Sequence, residues 1–250
     1  MRNLALIQQK FERSSLSYNK NAIAQREIAD DLYRKICLCV RGRSLNKILE
    51  IGCGTGFLTQ SVIALNPSVY YLNDINQHVE DLLQPILKES IYQVLLGDAE
   101  KQEFPYQLDL VISSSCFQWF RNLPFFFTQI GRHIKPSGFL IFSCFGPDNL
   151  KEIKAISGTG LFYPSLGEII ENLPSSYELV FAEEKHIKLK FDTPYEVLKH
   201  LKYTGVNGGF STVWTKSKFK DFCESYTKKF TQNNQVVLTY HPLYIGIKKR

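Results

Sequence analysis

Along this chain, short apolar runs alternate with stretches in which apolar residues recur every three or four positions. A continuous run buries both faces of a strand, whereas the longer spacing lays one stripe of a helix on a core. Residues 3–40 carry the helical spacing with few breakers and read as N-terminal helices. From residue 47 the two patterns interleave. Strands are expected at Lys47–Ile51, Val69–Asn73, Tyr92–Leu96, Leu108–Ser113 and Gly138–Cys144, with helices over roughly 57–65, 76–90 and 122–134. Strands and helices alternating at this spacing predict right-handed βαβ units and a parallel sheet covered on both faces. The run Leu108-Asp109-Leu110-Val111-Ile112 fits a central strand.

The pattern changes after Pro147. A loop or short helical region, 147–174, leads into Tyr177–Phe191, where Ile187-Lys188-Leu189-Lys190-Phe191 alternates as a half-buried strand does. Two helices, Pro194–Tyr203 and Lys216–Phe230, precede a last strand, Gln235–Ile247. The expectation is one α/β domain over residues 1–250. It has a mostly parallel sheet of seven strands, a helical cap at 1–40, and a helical lid at 192–234, inserted between the last two strands over the sheet's carboxyl edge.

Composition narrows the class. With 250 residues, 44% hydrophobic and 22% charged, the chain can bury a sizeable core. No apolar run approaches the roughly 18–20 residues of a membrane span, and Met1–Lys10 lacks the apolar centre of a secretory signal. Six cysteines without a C-x-x-C pair predict reduced thiols in a cytoplasm. Five scattered histidines without H-x-x-x-H give no expected metal site. P-loop and nucleophile-elbow patterns are missing. The net charge of +6 is uneven: residues 1–184 carry −3 and residues 185–250 carry +9. A basic surface favours an acidic partner, whether nucleic acid, anionic membrane or acidic protein.

The chemistry begins where the first strand ends, at Glu50-Ile51-Gly52-Cys53-Gly54-Thr55-Gly56. A dinucleotide fingerprint needs G-x-G-x-x-G, and here the third glycine comes one residue early. G-x-G-x-G after Glu50 suits a nucleoside without a pyrophosphate and resembles motif I of the class I S-adenosylmethionine-dependent methyltransferases. On that reading the glycine N–H groups hold the ligand's amino-acid portion while Glu50 arranges the loop. Asp74, about 20 residues on in Asn73-Asp74-Ile75, can accept from two ribose hydroxyls. In Gly97-Asp98-Ala99-Glu100, Asp98 is placed for an adenine amine and the Ala99 N–H for a ring nitrogen. The fourth strand end, Ser113-Ser114-Ser115-Cys116-Phe117-Gln118-Trp119-Phe120, offers no Asp, His or Lys as a base, and no N-P-P-[YF] tetrad occurs. A substrate that is already a nucleophile at neutral pH would need no base, and a carboxylate with a pKa near 4 qualifies. No catalytic side chain is assigned.

Further motifs resemble the malonyl-[acyl-carrier protein] O-methyltransferases of biotin synthesis along nearly the whole chain. They are Phe11 to Tyr18 in F-x-R-x-x-x-x-Y, Ala24-Gln25-Arg26-Glu27, Gly97 to Glu100, Gln118-Trp119 and Lys135-Pro136-Ser137-Gly138. Leu198 to Asn207 follows the family's L-x-x-L-K-x-x-G-A-N, departing at Val206. The resemblance implies a Rossmann-like class I sheet and cytoplasmic transfer of a methyl from S-adenosylmethionine to the free carboxylate of a malonyl thioester on acyl carrier protein or CoA. The expected cofactor set is Tyr18, Gln25, Glu50, Gly52, Cys53, Gly54, Asp74, Ile75, Asp98, Ala99 and Ser114. Tyr18 and Gln25 close the cofactor pocket, Trp119 and Tyr18 wall the transfer site, and Lys202 contacts the malonyl carboxylate. The basic C-terminal region meets an acidic carrier protein, with no nucleic acid and no membrane. Rival readings are methylation of a small free acid or quinone, and a non-catalytic S-adenosylmethionine-binding assembly factor.

Overall fold

The computed structural model describes residues 18–87, 90–205 and 215–250. Phe11, Arg13, Val206 and Asn207 lie outside them. Five strands occur as the periodicity predicts: β1 (Lys47–Ile51), β2 (Val69–Asp74), β3 (Tyr92–Leu96), β4 (Leu108–Ser114) and β5 (Ile134–Phe145). All pair in parallel. β5 starts four residues earlier than expected because a register shift opposite Leu108 and Leu110 absorbs the irregularity at Ser137, whose φ is +63°. β6 (Tyr177–Glu184) and β10 (Pro242–Lys249) complete the order β3-β2-β1-β4-β5-β10-β6, with β10 antiparallel to both neighbours.

Period-two burial divides the sheet into two faces. Ile48, Tyr70, Leu110 and Ile141 point into one apolar cluster, and Leu49, Tyr71, Val111 and Leu140 into the other. The first face receives α1 (Ile23–Val40), whose buried Ala24, Ile28, Leu32, Ile36 and Val40 make one stripe. The 3–40 helix of the sequence reading is interrupted at Ala22, where ψ is 54° and a helical turn from Tyr18 ends. α2 (Thr59–Val62) runs on as a 3₁₀ turn to Leu65, and α3 spans Val79–Leu87. α4 (Leu123–Gly131) covers the second face with Phe126, Phe127 and Ile130. Asp109, the acid in the central strand, sits at its amino end. It accepts from the Asn46 and Lys47 N–H groups at 2.9 and 2.8 Å and pairs with Lys135.

The C-terminal expectations need correcting. Tyr177–Phe191 is two strands, β6 and then β7 (Ile187–Phe191), in different sheets. Gln235–Ile247 is likewise split at His241 into β9 (Gln235–Tyr240) and β10. Between α5 (Lys151–Ser157), α6 (Leu166–Glu171) and the end of the chain, the segment 187–240 forms a small antiparallel sheet. β8 (Thr231–Gln232) and β7 flank β9 there, with helices α7 (Pro194–Tyr203) and α8 (Lys216–Phe230). Burial is continuous from Val236 to Ile247 across the second crossing, so the burial pattern does not show where that strand changes partners. No helix of the described residues is long and apolar enough to cross a membrane.

Candidate active site

The carboxyl ends of β1 to β4 surround a cavity of about 160 Å³. Each end is tied to the next. Gly52 and Cys53 donate their N–H groups to the Asn73 carbonyl at 2.8 and 3.1 Å, and Gly54 N–H donates to Asp74 Oδ2 at 2.8 Å. The Asn73 amide donates to the carbonyls of Leu95 and Gly97 at 2.7 and 3.1 Å. The N–H groups of Gly52, Gly54 and Gly56, expected to hold a ligand, are therefore engaged within the protein, the first two in closing the loop against β2 and Gly56 on the Cys53 carbonyl at 3.0 Å.

The glycines have separate reasons. Gly52 has φ of +70°, and a Cβ there would lie 2.4 Å from the Cys116 sulfur. Gly56, at φ +86°, would collide with Ile86 and Leu83 of α3. At Gly54 (φ +54°) a Cβ would meet nothing within 4 Å. Gly54 thus leaves open space on the cavity wall.

Beneath the loop, Glu50 is 1% exposed and accepts from Thr59 Oγ1 at 2.9 Å and from the Tyr70 hydroxyl. Burial pushes its carboxyl up to about 7, against the pull of those two donors. Burial also raises the Asp74 carboxyl, opposed by N–H bonds from Asn76, Gly54 and Ile75. Tyr18 stacks on Phe57 with ring centroids 5.7 Å apart. Burial first, and the Asp74 charge second, raise its phenol, which stays a donor at neutral pH. Asp98 Oδ1 accepts from the Glu100 N–H at 3.0 Å.

All eleven residues of the expected cofactor set line this cavity, as does Trp119. Lys202 does not; it is exposed at the end of α7. Nor do the described residues of 192–234 contribute to the lining. The sequence reading missed Thr55, Asn73, Glu100, Ser115, Cys116 and Phe120 as members of the wall. Ser115 carried one signal, its place just past a strand end, and its φ of +52° marks a backbone held by its surroundings. Its N–H is fixed by the Ser143 carbonyl and hydroxyl, both at 3.1 Å. Thr55 Oγ1 and Ser115 Oγ are enclosed without a hydrogen-bond partner among the described residues. Two unspent hydroxyls and the open space at Gly54 fit a polar ligand. Among Asp, Glu, Lys and Arg, the described lining holds only acids: Glu50, Asp74, Asp98 and Glu100.

Away from the cavity, Asp148, His186 and His241 place potential ligand atoms within 4.8 Å of one another. Their geometry is that of a hydrogen-bond network. His241 Nδ1 accepts from the Asp148 N–H at 3.2 Å, so Nε2 carries the proton toward Glu184 at 3.3 Å. The two rings stack 4.3 Å apart at 14°, which keeps their in-plane lone pairs from converging on one ion. The six cysteines are free.

Comparison with known proteins decides the family. A family model described as a methyltransferase domain matches residues 49–142, from β1 into β5. The malonyl-[acyl-carrier protein] O-methyltransferase of Bacteroides thetaiotaomicron is 35% identical over 99% of both chains. The chain belongs to the malonyl-[acyl-carrier protein] O-methyltransferase family. A Bacteroides fragilis relative of the same name is 38% identical over 98% of this chain, which spans 50% of that longer protein. The N-methyltransferase NodS of Bradyrhizobium japonicum was solved with S-adenosyl-L-homocysteine. It is 11% identical and superposes with a TM-score of 0.58 over 97% of this chain and 98% of its own, a likeness of fold alone. The span matched by the family model contains the glycine loop and the acids at the next two strand ends.

Proposed function

We propose that this protein transfers the methyl group of S-adenosylmethionine to the free carboxylate of a malonyl thioester on an acyl carrier protein, in a cytoplasm, as a step of biotin synthesis. The carrying observation is an acid-lined cavity built on consecutive strand ends. A sulfonium nucleoside is cationic at its reacting centre, and an acidic wall favours it. In this reading Asp74 takes the ribose hydroxyls, and Asp98 with the Ala99 N–H takes the adenine. Gly54 and Thr55 make room for the amino-acid portion, and Gly52 and Cys53, whose N–H groups are taken by Asn73, form part of the wall beside it. Ile75 and Ser114 flank the nucleoside, Glu50 supports the loop from below, and Tyr18 and Gln25 close the pocket.

Bound there, S-adenosylmethionine supplies an electrophilic methyl group on positively charged sulfur. The malonyl carboxylate is already ionised above its pKa near 4, so the chain needs no base. As the O–C bond forms, the C–S bond breaks with its electron pair going to sulfur, and no proton moves. The protein's part is alignment and exclusion of water, and alignment alone can lower such a barrier by about 7–11 kcal/mol. Trp119 and Tyr18 wall the transfer site.

The relatives' name supplies the substrate class. An acidic carrier suits the exposed lysines of α7 and α8, and malonyl-CoA is the smaller alternative. Lys202, outside the cavity lining, is assigned to that carrier-facing surface. Nucleic acid and membrane are not partners in this reading. The chain works as one unit, with 1–40 as a cap, while 192–234, expected as a lid, places none of its described residues on the cavity. A single apolar cluster from Ala24 through Ile48 to Phe222 and Tyr226 supports this. Incubation with methyl-labelled S-adenosylmethionine and malonyl-acyl carrier protein should yield a labelled methyl ester on the acyl group. Label that appears only on a small free diacid would overturn the proposal.

A further inference from the structure

We infer that Glu100 is a positioning residue that sets the Trp119–Phe120 wall from the adenine side of the cavity. Glu100 lines the cavity beside Asp98 and Ala99. Both its carboxylate oxygens accept from the Arg121 N–H at 3.0 Å, and Oε1 also accepts from the Asn122 N–H at 3.0 Å. Those two residues directly follow Trp119 and Phe120, which line the same cavity. Asn122 in turn caps α4 by accepting from the Phe125 N–H at 3.1 Å. One carboxylate thus spans from the β3 loop to the point where the β4 loop becomes a helix.

The link has a second end. The Glu100 N–H donates to Asp98 Oδ1 at 3.0 Å, so the carboxylate expected to meet the nucleoside also orients the residue that holds the wall. Charge-assisted bonds to backbone N–H groups are among the stronger ones, and a carboxylate at a helix N-terminus is favoured further. Arg121 and Asn122 are exposed, so water can satisfy their N–H groups if Glu100 is lost. The fold therefore does not depend on this strap, but the position of the two aromatic rings does.

The inference rests on the reading above only for the identity of the acyl substrate. The chain has two tryptophans, so Trp214→Phe leaves Trp119 as the sole reporter. In the full-length Trp214→Phe protein, Glu100→Ala should shift Trp119 emission to the red. It should also lower kcat/KM for malonyl-acyl carrier protein about 10- to 100-fold, mainly through KM, with S-adenosylmethionine affinity within roughly threefold. Glu100→Gln keeps an Oε1 that accepts from both N–H groups and should recover emission and KM to within about threefold. Wild-type emission and KM in Glu100→Ala overturn the inference. So does a Glu100→Gln variant as impaired as the alanine one with cofactor affinity lost in parallel, since the charge would then serve the cofactor. If the unsubstituted protein does not methylate the malonyl thioester, the functional reading falls, and Trp119 emission in Glu100→Ala still decides whether Glu100 sets the wall.

Discussion

Around the cavity, the strands from β1 to β4 end in residues that tie one loop to its neighbour. At the other edge of the sheet, β6 and β10 have chain that runs on into a second sheet. On the cavity side, position is fixed by short-range hydrogen bonds: Gly54 to Asp74, Asn73 to Gly97, Glu100 to Arg121. On the insertion side it is fixed by burial between distant segments. Glu152 accepts from the Thr239 N–H at 2.9 Å and from its hydroxyl, 87 residues away, and His200 meets the Tyr240 hydroxyl at 2.8 Å. The first region spends polar groups on a site, and the second spends them on joining layers.

The largest test of that contrast lies within the glycine loop. Gly56→Ala drives a Cβ into α3 at a positive φ and should destabilise the fold by about 2–4 kcal/mol in denaturant titration. Gly54→Ala meets no protein atom, so its folding cost should be limited to the roughly 1–2 kcal/mol strain of a left-handed φ, and cofactor affinity should fall by roughly 5- to 150-fold in calorimetry. If Gly54→Ala unfolds the protein as readily as Gly56→Ala does, the open space is not a ligand's.

The two regions should also titrate in opposite directions. Glu50 holds its proton to about pH 7 when folded, above the ordinary 4.5. Its stabilising contribution is complete below pH 4.5 and is lost as pH rises through 7. Burial lowers His200 to about 4 from 6.5, so its contribution is complete above pH 6.5 and is lost as pH falls through 4. Thermal unfolding across pH 4 to 8 should show Glu50→Gln gaining on the parent protein toward alkali. His200→Gln should gain on it toward acid, each by about 1–3 kcal/mol at the limit. Parallel pH profiles for parent and variants would remove these groups from the account.

How much of this was legible in the sequence follows the same divide. Gly52 to Gly56, Asp74 and Asp98 could be read directly, because each lies at the end of a strand whose apolar run is local. Asn73 and Glu100 could not be read as links, since their partners lie on loops that only folding brings alongside. Gly52 lines the cavity as expected, and its missing side chain also makes room for Cys116, which the sequence did not show. The split at His241 left one signal, Pro242, since proline favours the first residue of a strand, while burial itself is continuous from Val236 to Ile247.

The smallest effect belongs to the outer face of the insertion. Lys216, Lys218 and Lys220 of α8 are exposed. Reversing all three to glutamate should lower kcat/KM for malonyl-acyl carrier protein by no more than about 10-fold at low salt. The difference should vanish as ionic strength rises, and malonyl-CoA should respond less. Equal behaviour of parent and triple variant across the salt series would leave this face without a partner role.

The split of the last strand has an architectural consequence. Leu243 pairs with Glu184, and the Lys185 N–H donates to the Pro242 carbonyl at 3.0 Å, so the chain leaves the main sheet and re-enters it at adjacent, antiparallel positions. The insertion hangs from a two-stranded neck, and the pairing of β6 with β10 is closed below it. Changes on the outer face of the insertion can leave the β6–β10 register in place, while Val197, Phe222 and Tyr226 are bound into the apolar cluster of the main sheet. The exposed lysine face of α8 is therefore the part open to remodelling.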